Sequence, residues 1–268
     1  MSVITNKVGT LEYLTAEGIA VPHCFTTRFG GVSAGYLSSL NLGIHRGDDP
    51  ENVRKNYEIL GQALGFGIED LVFTRQTHTN IVRVVDGSNR GEGLDREVAP
   101  ECDALVTNTP GVALAAFTAD CTPILLHDPV TGAVGAVHAG WRGTVADIAG
   151  NAVRAMCENF GCCPENIRAA IGPNIGVCCF ETHGDVPDAV RAVLGAEAEA
   201  FIVPTGEKFR VDLKGVNAAL LRRAGVTQIE ISCDCTACEP ERFWSHRRVG
   251  NDRGSLAAII VREGERIE

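Results

Sequence analysis

The sequence predicts a mixed α/β fold that is more than a simple doubly wound sheet. Three observations carry this. Short β-rich runs recur between turn signals, the apolar period changes to three-and-four spacing after Gly143, and four short strands in succession between residues 102 and 138 do not fit a plain βαβ alternation. The β-rich runs are "LVFTRQ" (71–76), "NIVRVV" (80–85), "DALVTN" (103–108), "VALAAFT" (112–118), "PILLHD" (123–128), "AVGAVH" (133–138) and "LAAIIV" (256–261). Turn residues such as "DGSN", "NTPG" and "DPVTG" bound them. Val145, Ile148, Ala149, Ala152, Val153, Met156 and Phe160 then recur as one face of an amphipathic helix, which Gly161 is placed to end. A second helix is expected after Asp212, with Val216, Ala219, Leu220 and Ala224 on its apolar side and Gly225 as its stop. No linker, low-complexity tract or internal repeat divides the chain, so one domain over residues 1–268 is the simplest organisation.

With 45% hydrophobic and 22% charged residues, the chain has an ordinary globular composition and can bury a sizeable core. A net charge of -10 argues against a nucleic-acid or anionic-membrane binder, because those surfaces select an excess of Lys and Arg. An anionic substrate can still bind at a local cluster of arginines. The opening "MSVITNKVGTLEYL" lacks a basic region followed by an apolar run, and no segment approaches a membrane span, so a soluble cytoplasmic protein is expected. The 11 cysteines are an odd number and include the neighbours Cys162/Cys163 and Cys178/Cys179, a poor layout for a disulfide framework. A reducing compartment fits better.

Three possible metal ligands fall where strands are expected to end: His78, Cys121 and His138. Strand ends can converge at one edge of a sheet, where sites commonly form. Their spacing is too long for a local finger, but a Cys/His/His set is chemically right for a Zn²⁺ site that keeps its fourth position open. The plain alternative is an inert thiol and two hydrogen-bonded imidazoles. After His138, "HAGWRG" joins a strand to a helix start, and Arg142 there is a candidate anion ligand or a surface ion-pair residue. "TTRFGG" contributes Arg28 and "SLNLG" contributes Asn41, each also readable as turn chemistry. "CDCTACEPERFWSHRR" sets Cys233, Cys235 and Cys238 close together ahead of Arg247, but offers no obvious fourth ligand, so free thiols are expected there.

Taken together, "HCFTTRFGGVSAGYLSSLNLGIHRGDDPENVRKN", "QTH", "CDALVTNTPGVALAAFTADCTPILL", "AVHAGWRGT", "AAIGPNIGVCCFE" and "CTACEPERFWSHRR" resemble the bacterial laccase-domain proteins. These were once called polyphenol oxidases and are now grouped as multifunctional purine nucleoside phosphorylases. The resemblance runs in order from about His23 to Ile260. It implies a four-layer α/β/β/α fold with mixed sheets, similar to the catalytic domain of cytotoxic necrotizing factor. It also implies zinc held by His78, Cys121 and His138, phosphorolysis of adenosine, inosine, guanosine and S-methyl-5′-thioadenosine, and deamination of adenosine. Cys24 and Thr79 stand where the family commonly has glycine, and "GNDRGS" varies its usual ending.

Copper oxidation is rejected on the sequence itself. A multicopper oxidase needs many histidines, including His-x-His pairs, whereas this chain has 7 and none are so paired. The expected function is therefore a zinc enzyme acting on purine nucleosides and phosphate. Arg28, Asn41, Arg142 and Arg247 are its candidate phosphate or ribose ligands, and Asp120 is either a proton relay or a residue that fixes its turn. Zinc lowers the pKa of water towards about 7, which suits deamination. Two rivals stand beside this reading: a metal-free cysteine hydrolase using Cys121 and His138, and a binding module with structural zinc. Nothing in the sequence sets an oligomeric state.

Overall fold

The computed structural model describes residues 3–97 and 100–264. Strands β1 (Val3–Val8), β2 (Leu11–Ala16) and β3 (His23–Thr26) come first, followed by helix α1 (Pro50–Leu64). Strands β4 (Leu71–Phe73) and β5 (Val82–Val84) lead into the expected succession of β6 (Ala104–Thr107), β7 (Ala113–Thr118), β8 (Thr122–His127) and β9 (Val134–Ala139). Helices α2 (Trp141–Val145) and α3 (Ile148–Phe160), strands β10 (Arg168–Ile171) and β11 (Glu181–Thr182), and helix α4 (Asp185–Leu194) follow. Next come β12 (Ile202–Thr205), β13 (Lys208–Val211), α5 (Leu213–Arg223), β14 (Gln228–Ile231), α6 (His246–Val249) and β15 (Leu256–Val261).

The strands build two six-stranded sheets, ordered β1-β2-β3-β15-β7-β4 and β14-β10-β8-β9-β6-β5, and a small third sheet, β11-β13-β12. Both large sheets are mixed. β4 runs parallel to β7, β5 to β6 and β14 to β10, while the other pairs are antiparallel.

The apolar runs are continuous because both faces of the central strands are covered. Along β7, Leu114 and Ala116 face the layer between the sheets, while Ala113 and Ala115 pack with Val53, Tyr57 and Leu60 of α1. β15 divides the same way, with Ala258 and Ile260 inward and Ala257 and Ile259 towards α1. On the second sheet, Leu125, Ala136 and Ala170 face the shared layer, and Ile124, Val137 and Ile171 pack with residues of α3 and α5. Period-two alternation thus sorts apolar residues between two cores instead of between core and water.

The expected helix from Val145 to Phe160 is two helices. Asp147 adopts a left-handed conformation (φ 59°), ends α2 and caps α3 by accepting from the Gly150 amide at 3.2 Å. Val145 packs against the smaller cluster around α4 and α5, whereas Ile148 onward packs on the second sheet, so one straight helix cannot serve both. Gly161 ends α3 at φ 68°, returning its amide to the Cys157 carbonyl.

Leu114 is fully buried between the sheets, while Val130 is 74% exposed in the β8–β9 turn. Leu114→Ala is expected to cost about 2–5 kcal/mol and Val130→Ala less than about 0.5 kcal/mol, as read from denaturant midpoints. Similar midpoints for the two variants would contradict the two-sheet core.

Candidate metal centre and its cavity

Two chain segments pass from the first sheet to the second at the same end of the sandwich. The 74–81 segment links β4 to β5, and residues 119–121 link β7 to β8. The first carries His78 and the second Cys121, while His138 lies near the end of β9 beside them. Register explains the meeting: Pro123 pairs with His138 across β8 and β9, so Cys121, two residues earlier on the same face, lies next to the imidazole. The ligand atoms of His78, Cys121 and His138 all lie within 4.8 Å of one another, and the two rings are 5.0 Å apart at 71°. Distant sequence positions thus become one possible metal-binding group.

The backbone is held in uncommon conformations to achieve this. His78 (φ 63°) and Asp120 (φ 97°) both have positive φ, a region costly for residues with a side chain and typical of functional sites. Asp120 is restrained by its side chain. One carboxylate oxygen accepts from Thr236 Oγ1 at 2.7 Å and the other from the Arg247 amide at 2.6 Å. With both oxygens so engaged, Asp120 holds the turn that presents Cys121.

Asp103, which precedes β6, is a residue of the site that no sequence motif marks. It is fully buried, and its Oδ1 accepts from His138 Nδ1 at 2.7 Å and the His78 amide at 3.1 Å. Its Oδ2 accepts from the amides of Thr77 at 3.2 Å and Thr79 at 2.7 Å, and from the Thr79 hydroxyl at 2.7 Å. One carboxylate therefore orients two of the three possible ligands. The only signal available in sequence was an acidic residue opening an otherwise apolar strand.

Electrostatics follow from this packing. Burial opposes the charge on Asp103, but the His138 ring and the donors of Thr79 pull its carboxyl down to about 2. Burial also opposes charge on His138, yet the Cys121 sulfur and Asp103 push its imidazole up to about 9. Desolvation and the neighbouring His138 hold His78 below its ordinary value, with Arg142 adding to this and Asp103 opposing it. Surroundings that raise an imidazole's proton affinity through a sulfur and a carboxylate also favour a metal cation, which competes with that proton.

Beside the group lies a cavity of about 650 Å³, walled by Leu42–Arg46, Phe73–Gln76, Phe117, Arg96, Glu97 and Arg253 among others. Four arginines, Arg46, Arg75, Arg96 and Arg253, contribute to its walls. Arg253 is distinctive: its Nε is buried without a hydrogen-bond partner, and burial, with repulsion from Arg46, pulls its guanidinium down to about 10. A desolvated cation at a cavity wall is suited to an anion.

Of the expected substrate ligands, Arg28, Asn41, Arg142 and Arg247, none is among the residues that wall the cavity. Arg28 stacks on Trp244 at 3.7 Å and spends its donors on the carbonyls of Ser38 and Pro240. Arg247 donates to the carbonyls of Cys179 and Glu181. Arg142 is exposed, rests 4.4 Å from the Trp141 ring centre and does not wall the cavity. Asn41 is buried behind the wall, where its side chain accepts from the amides of Gly43 and Ser255 and so shapes the 42–46 loop. Motif position alone cannot tell an arginine that braces a loop from one that faces a ligand.

The mixed sheets, the sulfur–imidazole group and the arginine-walled cavity define a class that direct comparison can name. The chain belongs to the family described as multi-copper polyphenol oxidoreductase laccase, whose model matches residues 22–263. Among relatives, a purine nucleoside phosphorylase of Deinococcus radiodurans is 43% identical over 95% of this chain and 96% of its own length. Adenosine deaminase RL5, from an unknown prokaryotic organism, is 37% identical over 92% of this chain and 97% of its own. The crystal structure of YlmD from Geobacillus stearothermophilus superposes with a TM-score of 0.92 at 36% identity, covering 98% of this chain and all of that one. Among the described residues, no helix is long and apolar enough to cross a membrane.

Gly140 leaves the space that His78 occupies. A Cβ there would lie 2.4 Å from His78 Nδ1 and 3.4 Å from Cys121 Sγ, although its φ of -65° suits any residue. Gly140→Ala is expected to displace His78 and lower metal content while preserving the far-ultraviolet circular dichroism. Asp103→Asn should weaken metal affinity about 10–100-fold. Unchanged metal binding in both variants would separate this group from metal chemistry.

Proposed function

We propose that the chain is a zinc-dependent purine nucleoside enzyme. Its reactions are phosphorolysis of adenosine, inosine, guanosine and S-methyl-5′-thioadenosine, together with deamination of adenosine. The observation that carries this reading is that a two-imidazole, one-thiolate group lines a cavity whose walls also hold four arginines, Arg46, Arg75, Arg96 and Arg253. The printed names of the relatives supply the purine chemistry, and a cavity of about 650 Å³ is of ligand-binding size. Within the same reading, the stacked apolar clusters support the layer order α/β/β/α.

The donor set fits zinc: one soft thiolate and two imidazoles, with Asp103 behind His138 to fix its tautomer. Bound there, zinc would supply Lewis acidity to polarise a substrate atom or acidify water. The chain supplies the remaining functions. Arg253, Arg46, Arg75 and Arg96 gather phosphate in a protein whose overall charge would repel it. Phe117, packed edge-on against Phe73 with ring centres 4.9 Å apart, gives the purine an apolar wall. In phosphorolysis a phosphate oxygen forms a bond to ribose C1′ as the bond to the base breaks, so phosphate must be held close to the sugar. Deamination needs water at purine C6 and releases ammonia, with no anion required.

A cysteine hydrolase is the second reading, favoured by the ordering of Asp103, His138 and Cys121 in the manner of an orienting acid, a base and a nucleophile. His78 weighs against it, because such a triad has no use for a second imidazole within 4.8 Å of the sulfur. A purely structural zinc is disfavoured too. Structural sites are closed by four protein ligands, whereas this group offers three among the described residues and borders a cavity.

With adenosine as substrate, adenine release is expected to require phosphate and inosine formation to proceed without it. Arg253→Gln should lower adenine release by about 10²-fold and weaken its phosphate dependence, with a much smaller effect on inosine. Chromatography of purines over a phosphate series decides this; no turnover of any nucleoside by zinc-loaded protein would overturn the reading. His138→Gln separates the two readings of the sulfur. Zinc content and activity should fall together, and full zinc retention in an inactive protein would favour the hydrolase.

A further inference from the structure

We propose that the chain carries a second metal site, a closed four-thiolate centre formed by Cys178, Cys179, Cys235 and Cys238. In sequence Cys233, Cys235 and Cys238 lack a fourth ligand, and the fold supplies the missing ligands from another segment. Cys233 is not part of the group. Cys178 and Cys179, from the segment between β10 and β11, complete it instead.

All four sulfurs lie within 4.8 Å of one another, with Cys178 to Cys238 at 3.5 Å and Cys179 to Cys238 at 3.4 Å. A tetrahedral zinc with Zn–S of about 2.3 Å needs sulfurs about 3.8 Å apart, so the gathered thiols need little movement to close around one ion. The backbone has already assembled both halves. Asn174 and Cys235 form a bridge, the Thr236 amide donates to the Asn174 carbonyl at 3.0 Å, and Cys235-x-x-Cys238 forms a tight turn closed by the Cys238 amide on the Cys235 carbonyl at 3.0 Å. The Gly176 amide donates to Cys235 Sγ at 3.1 Å, a bond that supports a thiolate. Gly176 also keeps the space clear, since a Cβ there would lie 3.2 Å from Cys178 Sγ.

Charge around the group fits a centre of four thiolates and one divalent ion, which carries two net negative charges. Lys214 is 7% exposed, and its ammonium donates to the carbonyls of Ser232 and Asp234, on the segment that leads into Cys235. Arg247 donates to the carbonyl of Cys179 itself, and Arg248 to that of Ala237. Three cations thus hold the loops that carry the sulfurs. Soft thiolates alone, with no imidazole or carboxylate, select zinc among common divalent ions and leave no position for substrate.

Such a centre would be structural and would act on the first group through Asp120. Thr236 and Arg247, whose hydroxyl and amide hold the Asp120 carboxylate, lie on the segment that Cys235 and Cys238 anchor. The metal would hold the loop that fixes the turn of Cys121. This proposal is independent of the reaction at the first group.

The test uses the full-length chain carrying Cys121→Ala and His138→Ala, which removes the first group. Purified under reducing conditions and loaded with Zn²⁺ or Co²⁺, it should retain about one metal per chain, against about two in the unaltered chain. The cobalt form should show thiolate-to-metal charge-transfer absorption and tetrahedral d–d bands. Adding Cys178→Ser and Cys238→Ser should abolish both signals. Should that variant fail to fold, mercurial titration of the chain carrying only Cys121→Ala and His138→Ala gives the same information, with its one metal released in step with modification of four thiols. Absence of metal from the first variant with its thiols reduced would overturn the proposal. So would a mass lower by two hydrogens that a reductant restores, because it would identify a redox disulfide in place of a metal centre.

Discussion

A buried carboxylate is tolerated only when donors replace the water it has lost, and Asp103 meets that condition with donors that also define the site. The His138 ring, the amides of Thr77, His78 and Thr79, and the Thr79 hydroxyl all converge on it. If it is neutralised, His138 loses the partner that fixes its tautomer and the 77–79 segment loses its anchor. Thr79 gives this carboxylate a hydroxyl donor beside its amide and so adds to the support behind the possible ligands.

The rest of the architecture delivers chain segments to that carboxylate. Two sheets that bury both faces must exchange strands, and the exchanges through residues 74–81 and 119–121 occur at the end where β9 finishes. Left-handed backbone at His78 and Asp120 is the local cost of turning sharply between sheets while presenting a side chain. Asp120 offsets part of it by hydrogen bonding to the 236–247 segment, which links the possible metal group to the thiol-rich loop.

Charge is arranged with similar economy. In a chain of net charge -10, arginines brace loops at Arg28 and Arg247, and others converge on the cavity at Arg46, Arg75, Arg96 and Arg253. What separates the two sets is place: the cavity arginines line its walls, and the bracing arginines do not. The copper in the family's description meets a similar physical limit, since seven histidines without a His-x-His pair cannot assemble a trinuclear copper cluster.

By itself the sequence determined the chemistry available and much of the strand content. The seven β-rich runs all contain strands, Gly161 ends its helix, and His78, Cys121 and His138 stand out because polar ligands in apolar runs demand a partner. α1 is faint in the sequence although Asp49, Pro50 and Gly65 mark its ends, because its apolar stripe of Val53, Tyr57, Leu60 and Leu64 is diluted by charged and polar neighbours. Tertiary structure alone decided the rest: that Asp103 lies under two possible ligands, that Arg253 replaces the motif arginines at the cavity, and that Cys178 and Cys179 meet Cys235 and Cys238. The reason is range. Periodicity and turn chemistry act over a few residues, whereas which donor reaches which acceptor across 25 or 60 positions is set by strand register and by how two sheets pack.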